Sequence, residues 1–170
     1  MPPAGATVFI DTNAIGAAHR HHCWNALRRH YRLCTVAICL EEATRPDRRG
    51  RRLVERTVEE LRAELDCLPV SPAQEAALQL VLGGKPSLDP GEKALLAAAH
   101  ALGVTAAWVL CGPDKATLLA MHRLKLAERM VALETLATGA GATLRDPEEQ
   151  YGEKWLKTKR TQLALGDAWI

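Results

Sequence analysis

The feature that most constrains how this chain can fold is a recurrence: short β-branched or apolar runs alternate with stretches of helical spacing. Thr7-Val8-Phe9-Ile10 is the first such run, too short for a helix, and it stops abruptly at Asp11-Thr12-Asn13. From Asn13 to about Tyr31, Ile15, Ala18, Trp24 and Leu27 recur at a loose helical spacing, so the period changes from two to 3.6 at Asp11. Cys34-Thr35-Val36-Ala37-Ile38-Cys39 reads as a second buried strand or as the entry to a helix, and Ala107-Trp108-Val109-Leu110 reads as a further buried strand. Strands alternating with helices predict a three-layer α/β/α sandwich on a mainly parallel sheet. Right-handed crossovers then bring the carboxyl ends of the strands to one edge.

Punctuation supplies the remaining elements. Pro46 ends the segment after Cys39, because the residue before a proline is pushed out of the α region. Leu53, Val54, Val58, Leu61 and Leu65 predict an amphipathic helix over Arg48 to Leu65. Ser71 before Pro72 starts a helix that should reach Leu82, and Gly83-Gly84-Lys85-Pro86 is the clearest internal loop. Asp89-Pro90-Gly91-Glu92 opens a helix to about Leu102 with Gly103 as its stop, and another helix runs from Lys115 to about Leu124. Met130-Val131-Ala132 reads as a last short strand, followed by a helical turn over Leu133 to Leu136, and Gly139 to Gly141 closes the domain. We therefore expect one domain over residues 1–145 and a polar, basic extension over 146–170, where Lys154, Lys157, Lys159 and Arg160 accompany Trp155 and Trp169. The extension is open to three readings: a docking helix, a nucleic-acid contact or a partner arm.

Composition narrows the function classes. The 170 residues are 48% hydrophobic and 25% charged, an ordinary globular balance. Aromatics are only 4%, so the core must be aliphatic and no aromatic base-stacking platform is expected. Met1 to Ala6 lacks the basic and apolar regions of a signal peptide, which predicts a cytoplasmic protein. The most membrane-like window, Ala94 to Gly112, is interrupted by His100, Gly103 and Thr105, so no membrane partner is expected. Five cysteines without CxxC spacing fit buried thiols better than disulfides or a zinc site. His19-Arg20-His21-His22-Cys23 would point in different directions on a helix and is expected to be a solvated basic face. The net charge is +2, but Arg20 to Arg62 holds eleven arginines against six acids. Such a stretch can attract a polyanion, or Arg45, Arg48, Arg49, Arg51, Arg52 and Arg56 can simply be solvated helix ends and faces.

The acids at the expected sheet edge are Asp11, Glu41 or Glu42, Asp89 or Glu92, and Asp114. Each has a structural explanation. Asp11 can cap the first helix, Asp89 and Glu92 have capping-box spacing, Asp114 can complement a helix dipole, and Glu41 and Glu42 can be surface residues. Caps alone would as readily be Ser, Thr or Asn, however. Clustered carboxylates repel by roughly 4 kcal/mol per pair at ~4 Å and an effective dielectric of about 20, so a cluster persists near neutral pH by binding a cation or raising a pKa. Hard oxygen ligands favour Mg²⁺ or Mn²⁺.

Phe9-Ile10-Asp11-Thr12-Asn13, Glu41-Glu42, Gly91-Glu92-Lys93-Ala94-Leu95-Leu96-Ala97 and Pro113-Asp114-Lys115 resemble, in order, the acidic motifs of PIN-domain ribonucleases. Met130-Val131-Ala132-Leu133-Glu134-Thr135-Leu136 is similar to that family's closing segment, so the resemblance covers roughly residues 7–140. It implies an α/β/α sandwich whose acids bind Mg²⁺ or Mn²⁺ and hydrolyse RNA phosphodiester bonds. By position, Asp11 would be the principal metal ligand, Asp114 would stand opposite it, and Glu92 would complete the site directly or through water. Glu42 is preferred to Glu41, because the family places its glutamate last before the helix continues, although Ala43 stands where leucine is common. Thr12 and Asn13 would support Asp11 and the substrate phosphate, and Arg45, Arg48 and Arg49 would contact RNA. Cys111-Gly112-Pro113 departs from the family's usual Thr-Asp lead-in and removes a hydroxyl there. The resemblance also admits an antitoxin or other protein partner, and a homodimer.

Two competing readings remain. Phosphatases of the haloacid dehalogenase kind also place an aspartate after the first strand, but they normally need a second one two residues on, where this chain has Asn13. A PIN-like scaffold that binds RNA or protein without catalysis is the other.

Overall fold

The computed structural model describes residues 1–166; Trp169, counted above in the extension, lies outside the described residues. Four parallel strands form one sheet: β1 (Thr7–Ile10), β2 (Arg32–Val36), β3 (Asp66–Leu68) and β4 (Trp108–Cys111), in the order β3-β2-β1-β4. The helices are α1 (Thr12–Arg20), α2 (Trp24–His30), α3 (Ala37–Thr44), α4 (Val58–Arg62), α5 (Pro72–Leu82), α6 (Pro90–Ala101), α7 (Lys115–Arg123), α8 (Leu133–Gly139) and α9 (Glu153–Ala164).

The three-layer α/β/α sandwich follows from the pleat. Successive strand side chains point to opposite faces, so Val8, Ile10 and Leu33 join a core built with α1, α2, α3, α4 and α8. Phe9, Cys34, Val36, Trp108 and Leu110 face a second core built with α5, α6, α7 and α9. Both faces of β1 are therefore covered, which is why its sequence is a continuous apolar run rather than an alternating one. From β1 the chain moves outward through β2 to β3 and then returns to place β4 on the other side of β1. The crevice at the carboxyl ends of β1 and β4 is thus a topological switch point, where open α/β sheets bind ligands.

Several expectations need correction. The helix expected over Asn13 to Tyr31 is two helices. Its apolar spacing shows why: Ala18 and Trp24 are six residues apart and cannot share one helical face. His22 adopts a left-handed φ of 57°, the Cys23 N–H bonds to the Ala18 carbonyl, and the break lets Trp24 and Leu27 turn into the core. The solvated basic face expected over His19 to Cys23 is only partly present. His19 is half-buried and stacks on Trp24 with ring centroids 4.7 Å apart, Cys23 is buried, and His21 contacts Glu148.

The helix expected over Arg48 to Leu65 shrinks to α4, so the arginines are loop residues rather than the face of a helix. The Asp47 carboxylate accepts from the backbone N–H groups of Arg49 at 2.7 Å and Arg51 at 2.9 Å, a local alternative to helical bonding. Closely spaced arginines would also repel along a helix. Only at Thr57, whose capping box with Glu60 is complete, does the helix begin. Met130 makes a single parallel bridge to Leu110 instead of opening a strand. β3 is an element that the residue pattern of Asp66 to Val70 does not announce.

Residues 149–164 pack on the rest of the chain. Trp155 and Leu156 are buried, the Arg160 guanidinium donates to the carbonyls of Ala127 and Met130, and the Tyr151 hydroxyl donates to the Asn13 carbonyl at 3.4 Å. All five cysteines are free thiols, with Cys23, Cys34, Cys39 and Cys111 buried. No helix among the described residues is long and apolar enough to cross a membrane.

Candidate active site

Asp11 leaves β1 directly at the switch point and caps α1, its Oδ1 accepting from the Ala14 N–H at 2.6 Å. It is only 6% exposed. Burial raises its pKa to about 7 against the lowering effect of the Ala14 N–H, and the charges of Asp114, Asp89 and Glu42 add to the rise. Helix capping and membership of an acidic cluster are therefore both true of this residue.

The other acids arrive from three different segments. Glu42 lies on the inner side of α3, where its Oε2 accepts from the Thr12 hydroxyl at 2.9 Å; its neighbour Glu41 is exposed to solvent. Asp89 and Glu92 form the capping box of α6, with the Glu92 N–H donating to Asp89 Oδ1 at 2.8 Å and the Asp89 N–H to Glu92 Oε2 at 3.1 Å. Asp114 caps α7 by accepting from the N–H groups of Ala116 at 2.6 Å and Thr117 at 3.2 Å. Burial first, then the charge of Asp114 and a hydrogen-bonding contact with it, together with the charge of Asp89, push Glu92 up to about 8, although the Asp89 N–H opposes the shift. Three helix N-termini, those of α1, α6 and α7, thus end at these acids, and their partial positive charges offset some of the mutual repulsion.

Two glycines pack closely against the carboxylates. A Cβ on Gly91 would stand 2.8 Å from Glu42 Oε2 and 3.5 Å from Asp89 Oδ1, and one on Gly112 would stand 3.0 Å from Asp11 Oδ2. A side chain at Gly91 would make the Glu42 carboxylate shift, and one at Gly112 would press on the Asp11 carboxylate. Sequence reasoning did not single these glycines out as site residues; Gly91 read only as part of a helix start and Gly112 only as a departure from a motif.

The donor chemistry is that of hard oxygen. The nearest thiols, Cys39 and Cys111, are buried, which pushes Cys39 up to about 11 and Cys111 well above its ordinary value, so both stay protonated. Among the described residues no group of three His, Cys, Asp or Glu side chains stands close enough to hold an ion as placed. Glu42, Glu92 and Asp114 are half-buried rather than locked in the core.

Two clefts flank the acids. On the Glu42 side, a cleft of ≈ 560 Å³ is lined by Arg45, Arg51 and Arg52. Arg45 is thus brought beside Glu42, whereas Arg48 and Arg49 sit on the exposed turn and do not line this cleft. Arg51 pairs with Asp47 at 2.9 Å. On the Asp114 side, a groove of ≈ 450 Å³ is bounded by Asn13, Lys115, Gln150, Tyr151 and Trp155. Thr12 is occupied with Glu42, while Asn13 is exposed in this groove.

Compared with known proteins, the chain matches no family model, no curated protein and no solved structure.

Proposed function

We propose that this chain is a divalent-metal-dependent ribonuclease of the PIN type, with Asp11, Glu42, Glu92 and Asp114 as its metal-binding and catalytic acids. The observation that carries the reading is the set of carboxylates from four separate segments at the switch point, among which Asp11 is raised to about 7 and Glu92 to about 8. Such groups are at odds with one another unless protons or a cation neutralise them. The all-carboxylate donor set suits Mg²⁺ or Mn²⁺.

An ion held by Asp11, Glu42, Glu92 and Asp114 would supply a water of lowered pKa and would offset charge on the phosphate. The chain does the rest by position. Asp11, fixed by its bond to Ala14, sets the centre of the site. The Thr12 hydroxyl orients the Glu42 carboxylate. Arg45 and Arg52 supply positive charge for the RNA backbone on the Glu42 side, and Asn13 presents its amide on the other. Hydrolysis adds water across one P–O bond: the water oxygen bonds to phosphorus, and the departing oxygen takes a proton.

Calorimetric titration with Mn²⁺ tests the reading. Saturable binding that Asp11→Asn abolishes supports it. No binding to the purified protein favours a non-catalytic scaffold for RNA or for a protein partner such as an antitoxin, and turnover of a generic phosphate monoester in place of RNA favours a phosphatase.

A further inference from the structure

The two clefts beside the acids differ in chemistry. The Glu42 side offers guanidinium groups, which suit phosphate. The Asp114 side offers side-chain amides: Asn13 and Gln150, both exposed, present carboxamides beside the largely buried Tyr151 and Trp155. Neither carboxamide, nor the Trp155 indole N–H, has a hydrogen-bond partner among the described residues. Carboxamides match the paired donors and acceptors on nucleobase edges. The groove's ≈ 450 Å³ falls within the roughly 300–1,000 Å³ span of small-molecule sites.

Its far wall is held in place. Glu148 pairs with Arg20 at 2.6 Å and with His21 at 3.3 Å, the Tyr151 hydroxyl reaches the Asn13 carbonyl, and the Glu134 carboxylate accepts from the Glu153 N–H at 2.7 Å. Gln150 is therefore presented from an anchored segment rather than from a loose tail. A polar side chain on a fixed wall is what selective recognition requires.

We infer that this groove is a nucleobase subsite, which seats one base next to the phosphate held at the acids and reads its edge with Gln150 and Asn13. The inference deepens the ribonuclease reading and rests on it for the class of ligand. It differs from the stacking platform that the low aromatic content argues against, because it takes one base in a pocket rather than a run of bases on a surface. The extension that the sequence left open between docking helix, nucleic-acid contact and partner arm then combines the first two roles: α9 docks, and the segment before it contacts the substrate.

The test uses the full chain without metal. The ¹⁵N–¹H signal of the Trp155 indole, assigned by its loss in Trp155→Phe, is followed during titration with AMP, CMP, GMP, UMP and, as a control lacking a base, ribose 5-phosphate. The expected result is a saturable shift with at least one nucleotide and none with ribose 5-phosphate, with binding weakened roughly tenfold in Gln150→Ala. Gln150 is exposed, so this variant folds as the parent does. Three results overturn the subsite: no shift with any nucleotide, an equal shift with ribose 5-phosphate, or unchanged affinity in Gln150→Ala. Because the readout needs neither metal nor cleavage, base binding by a protein inactive on RNA would remove only the nuclease reading. RNA cleavage without an indole shift would remove only the subsite.

Discussion

Asp11 and Gly112 meet across the switch point between β1 and β4, where a Cβ on Gly112 would lie 3.0 Å from Asp11 Oδ2. Asp11 is held by its bond to the Ala14 N–H and has little room to retreat. Gly112→Ala should therefore crowd the carboxylate face that a cation needs while leaving the fold intact. We expect Mn²⁺ affinity to fall at least ~10-fold, with a melting temperature within a few degrees of wild type. Titration calorimetry alongside thermal melts checks both halves.

The raised acids make metal-free stability depend on pH. Asp11 rises from an unfolded value of 3.8 to about 7, and Glu92 from 4.5 to about 8. A raised folded-state pKa means that the folded form holds the proton more tightly, so the stabilisation is fully present below about pH 4 and is lost as pH climbs through 7 to 8. For Asp11 the loss is at most about 4 kcal/mol, from three pKa units at ~1.4 kcal/mol each. Asp11→Asn retains an amide oxygen for the Ala14 N–H and cannot ionise. It should flatten the decline and melt higher than wild type at pH 8. Because a cation must displace these protons, Mn²⁺ affinity should rise over the same interval. Denaturant titrations from pH 4 to 9, with and without Mn²⁺, check both trends, and metal-free stability that rises between pH 5 and 8 would contradict them.

Thr12 acts through Glu42. Its hydroxyl donates to Oε2 at 2.9 Å, and Thr12→Val keeps the shape while removing the donor. The expected loss is about 1 kcal/mol of stability and roughly 10- to 100-fold of activity. Thr12→Ser should recover most of both. A loss in Thr12→Ser with none in Thr12→Val would show that the methyl group, not the hydroxyl, matters.

The arginines should divide by position. Arg45 and Arg52 line the cleft beside Glu42, so replacing either with Ala should weaken RNA binding and reduce the slope of log K against log salt by about 0.7 for each phosphate no longer neutralised. Arg48→Ala and Arg49→Ala, on the exposed turn, should change the slope less. Arg51→Ala removes the ion pair with Asp47 and should loosen the turn itself. Binding isotherms across a salt series distinguish these cases.

Residues with local signals were the legible ones. Ser71-Pro72 and Asp89-Pro90 start α5 and α6 because cap and proline act within one turn, and β1 and β4 are visible because both of their faces are buried. The same locality made Asp11, Glu92 and Asp114 visible, since each follows a strand or opens a helix. β3 was not legible: its three residues are half-buried and carry no alternating pattern. The arginine segment misled because its leucine and valine spacing suits a helix, whereas Asp47 captures the backbone first. The groove wall at Gln150 and Tyr151 depends on bonds to Asn13 and Arg20, more than 100 residues away, and no local pattern announces such a pairing.

Single-turnover cleavage of an end-labelled RNA by wild type and Asp11→Asn with Mn²⁺ tests whether Asp11 anchors a metal site that hydrolyses RNA. We expect metal-dependent cleavage by the wild type and a loss of at least ~10³-fold in the variant, with the variant still folded. Cleavage by Asp11→Asn at the wild-type rate, or wild-type cleavage undiminished by removal of divalent ions, would contradict that role.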